Sequence, residues 1–323
     1  MSTAADAFPK GVHLLGGLPQ KAPDLAVSIV FIVAYLLLSP LAVWRLARRR
    51  TRLAVLIRPS VVLVVRVVTF VLRALEADGK ATSTGVFTAE QVLLYLGLIP
   101  LCEPLLSLSR YHIRRFWTPS PRDGEQKPTK SPVDRLLKLL ELALLAALVL
   151  GITVGSKTSD ALNNPSEMSS LTSMRYALYG LTLLVVIGGP LLATYVTAQE
   201  RLPQRPLLLL YACAACLTIA TIYKLVITLH PVSPLSHGAK ATFYLFNSLP
   251  EFLCTTLYFA FDLDALFDVN EAVWKHKVEK QMDKGKWTGP YVPLYEFQSQ
   301  KGDIGLEART ANEPDRPPSP YKG

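Results

Sequence analysis

Seven apolar runs dominate this sequence, covering residues 24–44, 53–75, 86–108, 136–155, 175–198, 206–229 and 241–267. Each is close to or above the ~20 residues that a helix needs to cross the hydrocarbon core of a bilayer. Segments of this kind must satisfy their backbone hydrogen bonds internally, which restricts them to helices. The expectation is an all-α fold, a seven-transmembrane helix bundle (24–267), with an N-terminal arm (1–23) and a C-terminal tail (268–323). Half of the residues are apolar and the mean hydropathy is +0.29, more than one soluble core of this size accounts for. No basic-then-apolar leader with a cleavage site precedes the first run, which is therefore expected to act as its own insertion signal.

The connections alternate in charge, and Lys and Arg are retained on the cytosolic side of a membrane. The first connection holds Arg45, Arg48, Arg49, Arg50 and Arg52; the third adds Arg114, Arg115, Arg122, Lys127 and Lys130; the fifth has Arg201 and Arg205. The even connections carry only Lys80, then Lys157 with Arg175 at the border, then Lys240 at the border. The N-terminus is thus expected outside and the tail in the cytosol. The net charge of +9 resides largely in these membrane flanks, which argues against a nucleic-acid partner and for the lipid bilayer. The proline-bounded stretch 119–132 reads as a disordered basic linker, residues 269–287 as a short basic helix, and most of the remaining tail as disordered.

Chemistry is sparse. Cys102, Cys213, Cys216 and Cys254 lie inside apolar runs, where they serve as small packing residues rather than as a disulfide or metal framework. The histidines do not cluster and no nucleophile or phosphate-loop motif is present, so no catalytic residue, metal or cofactor is expected and the chain reads as non-enzymatic. Ala143, Ala147, Gly151 and Gly155 recur every four residues, a stripe that lets a neighbouring helix of the bundle approach closely.

The informative positions are the charges inside the runs, since each costs ~2.5–3.5 kcal/mol at mid-bilayer unless paired or hydrated. They are Arg66, Glu103, Lys224, Glu251 and Asp262, with Arg58 and Arg73 nearer the ends of the second run. Lys138 and Glu141 are expected to pair locally, and Asp262 to answer the basic first connection. At about 1.5 Å of rise per residue, Arg66 and Glu251 share one depth, and Arg58 and Glu103 share another nearer the cytosol. These spacings predict two ion pairs, while Lys224, with no acid at its depth, is expected to snorkel or to line the outer mouth of a cavity.

Arg58, Arg66 and Arg73 fall on one helix face, which must look inward. Two readings of that face stand side by side: a polar cavity for an anionic or amphipathic ligand, or pairs that lock the bundle. Of the prolines that interrupt the runs, Pro59, Pro104 and Pro250 adjoin Arg58, Glu103 and Glu251, and the coincidence of kinks with charges places a ligand cavity there, lined by Arg66, Glu103, Lys224 and Glu251.

Two stretches resemble a known family. Ile222-Tyr223-Lys224-Leu225-Val226 and Tyr244-Leu-Phe-Asn247-Ser-Leu-Pro250 are similar to spans six and seven of the fungal lipid-translocating exporter-like (resistance-to-aminocholesterol) proteins and related fungal seven-span proteins, with Lys224 where arginine is usual and Asn247 where an acid is. The resemblance implies a plasma-membrane protein that binds or translocates a lipid-like or amphipathic small molecule. The alternative is a seven-span sensor or receptor signalling to a cytosolic protein through its third loop and tail. Ser109-Arg110-Tyr111 resembles the Asp-Arg-Tyr element of G-protein-coupled receptors, with serine in place of the acid.

Overall fold

The computed structural model describes residues 15–47, 53–80, 83–114, 132–163, 167–200, 203–230 and 236–282. The basic linker and the tail beyond Met282 lie outside the described residues. All regular structure among the described residues is helical, and six helical segments are long and apolar enough to cross a membrane. The first span is α1 (Lys21–Ala47), and the second is α2 (Ile57–Ala77), entered through a 3-10 turn (Ala54–Leu56). The third is broken into α3 (Thr84–Leu96) and α4 (Ile99–Arg114). Spans four to six are α5 (Pro132–Asn163), α6 (Met168–Glu200) and α7 (Arg205–Leu229).

The seventh apolar run is not one regular helix. It is α8 (His237–Phe243), a π-helical turn (Tyr244–Ser248) and α9 (Leu249–Ala260) in succession. Pro250 explains the break: it lacks the N–H that would bond the Phe246 carbonyl, and its ring would strike that carbonyl in a regular helix. Widening the preceding turn removes the clash, and the Leu249 N–H bonds back to Tyr244 across the π turn. Pro59 and Pro100, like Pro250, sit in first turns, where no helical donor is lost. Pro40, Pro104 and Pro190 are interior, and the Leu36 carbonyl freed by Pro40 accepts from Ser39 Oγ at 2.7 Å.

The outward faces are apolar, as lipid contact requires: Leu37 is 75% exposed and Leu208 73%. The small-residue stripe packs inside the bundle. Ala147 is buried, a Cβ on Gly151 would press on Ile99, and one on Gly155 would lie 2.9 Å from the Val92 Cα. So α5 leans on α3 and α4 with backbone nearly touching backbone.

At the end that charge bias assigns to the cytosol, here the inner end, Arg45 donates to the carbonyls of Phe259 (3.2 Å) and Ala260 (3.3 Å) and lies 3.8 Å from Asp262. A cation thus closes the C-terminus of α9, where the helix dipole is negative. Beyond it come α10 (Leu263–Phe267), capped by Asp262, and α11 (Val269–Met282), whose Val269, Ala272 and Val278 are buried. His112 also turns into the bundle, with Nε2 2.8 Å from Thr197 Oγ1 on α6. At the outer end Lys80 (2.8 Å) and Lys21 (3.1 Å) flank Asp78, and their hydrogen bonds hold its carboxyl below the usual carboxylate range.

Candidate functional site

The positions that carry charge into the spans assemble along α2. Because Arg58, Arg66 and Arg73 share one face of this helix, they meet three separate sets of partners at three depths.

The outer set is the most completely bonded. Arg73 is wholly buried and forks between α1 and α3, with Nη1 2.7 Å from Glu90 and Nη2 3.0 Å from Asp24. Its Nε donates to the Tyr244 hydroxyl at 2.9 Å, and Nη2 also reaches the Gly16 carbonyl at 2.5 Å. Lys240 Nζ completes Asp24 at 2.6 Å, and the guanidinium lies 4.8 Å from the Phe243 ring centroid. Gly16 has φ +74°, and a Cβ there would press on Arg73, so this turn needs glycine. Sequence reasoning took Lys240 for a loop border, did not assign Asp24, and passed over Glu90. A signal existed: Glu90 lies inside the outer end of the third run as Arg73 lies inside the outer end of the second.

The central set joins α2, α7 and α9. Arg66 Nη2 contacts Glu251 Oε2, and Lys224 Nζ lies 3.3 Å from Glu251 Oε1, with all three side chains at 0–1% exposure. Lys224 therefore neither snorkels nor lines an outer mouth. The break between α3 and α4 turns the Leu94 carbonyl toward α7, Lys224 donates to it at 3.3 Å, and the lysine is drawn inward. The buried Cys102 donates to the Leu98 carbonyl, and the buried Tyr35 packs edge-on against Phe252, which follows Glu251 in the chain.

The inner set is open. Arg58 contacts Glu103, which also accepts from Ser107 Oγ at 3.0 Å, and the two side chains of the ion pair are 52% and 27% exposed. They line a cavity of about 310 Å³ together with the apolar Ala54, Val55 and Ile57 and with Ser107 and Tyr111. Glu141 is not paired with Lys138 as expected; it contacts Arg110 on the adjacent α4. A further buried cation, Arg175, stands over the Tyr95 ring at 5.4 Å and donates to Thr158 at 3.4 Å.

Residues 24–265 match the model of a domain of unknown function, DUF7702. The chain belongs to the DUF7702 family. The matched region takes in nearly all of the bundle and every residue of the central and inner sets. No curated protein and no solved structure matches this DUF7702 chain.

Proposed function

We propose that this polytopic membrane protein binds an amphipathic, lipid-like molecule whose polar head enters the cavity at the inner end of α2. The observation that carries the reading is the composition of that cavity: apolar Ala54, Val55 and Ile57 beside a partly exposed Arg58–Glu103 pair. A guanidinium held by one carboxylate offers a head group a ready exchange, since a phosphate or carboxylate replaces Glu103 on Arg58 through the same forked hydrogen bonds. The apolar tail then lies along Ala54, Val55 and Ile57 and continues into lipid. Of the residues expected to line one cavity, Glu103 lines this one, whereas Arg66, Lys224 and Glu251 are buried together in the central set. The resemblance of residues 222–226 and 244–250 to lipid-translocating exporter-like proteins supports the same reading, with the plasma membrane as its location.

The test is photo-crosslinking of the full chain in nanodiscs with diazirine-tagged anionic and zwitterionic lipids. Labelling is expected at the 54–58 and 103–111 peptides, and Arg58→Gln should reduce it about tenfold, the usual scale for one charge-assisted contact. Labelling spread evenly over the apolar faces, and unchanged by Arg58→Gln, would overturn the proposal.

A further inference from the structure

The central set holds two cations and one carboxylate. Arg66 and Lys224 both face Glu251, and among the described residues no second carboxylate forms an ion pair with either cation. One positive charge is therefore left over where no side chain of the set is more than 1% exposed. Buried charge is stable only when it is matched and hydrogen-bonded.

Hydrogen-bond donors are left over as well. Among the described residues, Nε and Nη1 of Arg66 have no hydrogen-bond partner, nor do the buried hydroxyls of Tyr35 and Ser248. Tyr35 packs edge-on against Phe252, the chain neighbour of Glu251, with ring centroids 5.1 Å apart, and Ser248 ends the π turn three residues before Glu251. The outer set behaves differently. Its two cations, Arg73 and Lys240, face at least as many carboxylates, and each guanidinium nitrogen of Arg73 is bonded. Full pairing of buried cations is thus available to this fold, and the cations of the centre depart from it in charge and in hydrogen bonding together.

We infer that the centre is a binding site for one small monovalent anion, of halide or formate size, held by the unpartnered Arg66 nitrogens and the Lys224 ammonium, with the Tyr35 hydroxyl as a further donor. The anion restores neutrality, and its first shell is made of N–H and O–H donors, the chemistry that takes a halide and refuses a metal cation. This site stands apart from the inner cavity, and either can hold without the other.

The probe is chloride itself. The purified chain in nanodiscs is melted at constant ionic strength while chloride replaces gluconate, an anion too large for the site. A saturable rise in melting temperature is expected, with bromide and formate acting likewise, because a ligand bound only by the folded state stabilises it by mass action. Lys224→Met leaves Arg66 and Glu251 as a neutral pair and should abolish the rise, while Tyr35→Phe should weaken apparent chloride affinity several-fold without unfolding the bundle. Identical melting in chloride and gluconate would overturn the inference and leave a neutral Lys224 amine as the source of charge balance. A chloride effect that survives both substitutions would overturn it too, since that site would lie elsewhere.

Discussion

Gly97 and Arg66 compete for one space: a Cβ on Gly97 would overlap the Arg66 guanidinium. The residue at the break of span three is thus glycine because the central cation needs its volume. Gly97→Ala should cost ~1–3 kcal/mol of stability as overpacking, and ~3–5 kcal/mol if Arg66 is pushed off Glu251. In an Arg66→Ala background the same change should be nearly neutral. Thermal melts of the four proteins of this cycle measure the coupling, and additive costs would show that the two residues do not share that space.

The central charges have unequal roles. Glu251→Gln leaves Arg66 and Lys224 facing each other in the core and should cost ~3–5 kcal/mol, as removal of one partner from a buried pair does. Lys224→Met should cost less, because the Arg66–Glu251 pair survives it. Denaturant titration in one detergent ranks the two variants, and the reverse order would contradict the central geometry.

Arg73 acts through its fork as well as its charge. Arg73→Lys keeps the cation but reaches fewer of Asp24, Glu90, Tyr244 and Gly16, and losing two charge-assisted bonds costs ~3 kcal/mol or more. The backbone around Gly16 loses its anchor, so limited proteolysis ahead of α1 should quicken in this variant. Unchanged cleavage would show that Arg73 does not hold that segment.

Two glycines separate close packing from helix propensity. Gly155→Ala drives a Cβ toward the Val92 backbone and should destabilise by ~1–3 kcal/mol despite alanine's better propensity. Gly180→Ala meets nothing within 4 Å and should stabilise by ~0.5–1 kcal/mol. Opposite signs in paired melts are the expected result.

The orientation is testable with single cysteines and a membrane-impermeant maleimide. Lys80→Cys, on a side chain 72% exposed, should label from outside intact cells, and Gln281→Cys, on the exposed side of α11, only after permeabilisation. The charge bias of the odd connections requires this order.

Much of the architecture was legible without coordinates. Lipid cannot solvate a peptide group, so long apolar runs dictate helices, and the seven runs correspond to α1, α2, α3 with α4, α5, α6, α7 and α8 with α9. Depth counting put Arg66 level with Glu251 and Arg58 level with Glu103, and the structure has each of those pairs in contact. It misplaced Lys224 because counting at a constant rise assumes straight helices, whereas the α3–α4 break and the π turn shift what lies opposite. Glu141 went astray for another reason: Lys138 is its neighbour on one helix, but Arg110 is its neighbour across two.

The amino-acid sequence by itself thus determined which segments are helical and which face of α2 turns inward, because those follow from the cost of placing peptide groups and charges in hydrocarbon, whereas the helix ends, such as Asn163 of α5, were not determined by it. Only the tertiary structure decided the partners. Asp24 and Lys240 look like ordinary span borders until three helix ends close around Arg73, and Arg66, Lys224 and Glu251 form one group with a charge to spare only once α7 and the π turn bring them to the same depth. Pairing of buried charges depends on distances of a few ångströms between helices far apart in sequence, and no spacing along one helix encodes those distances.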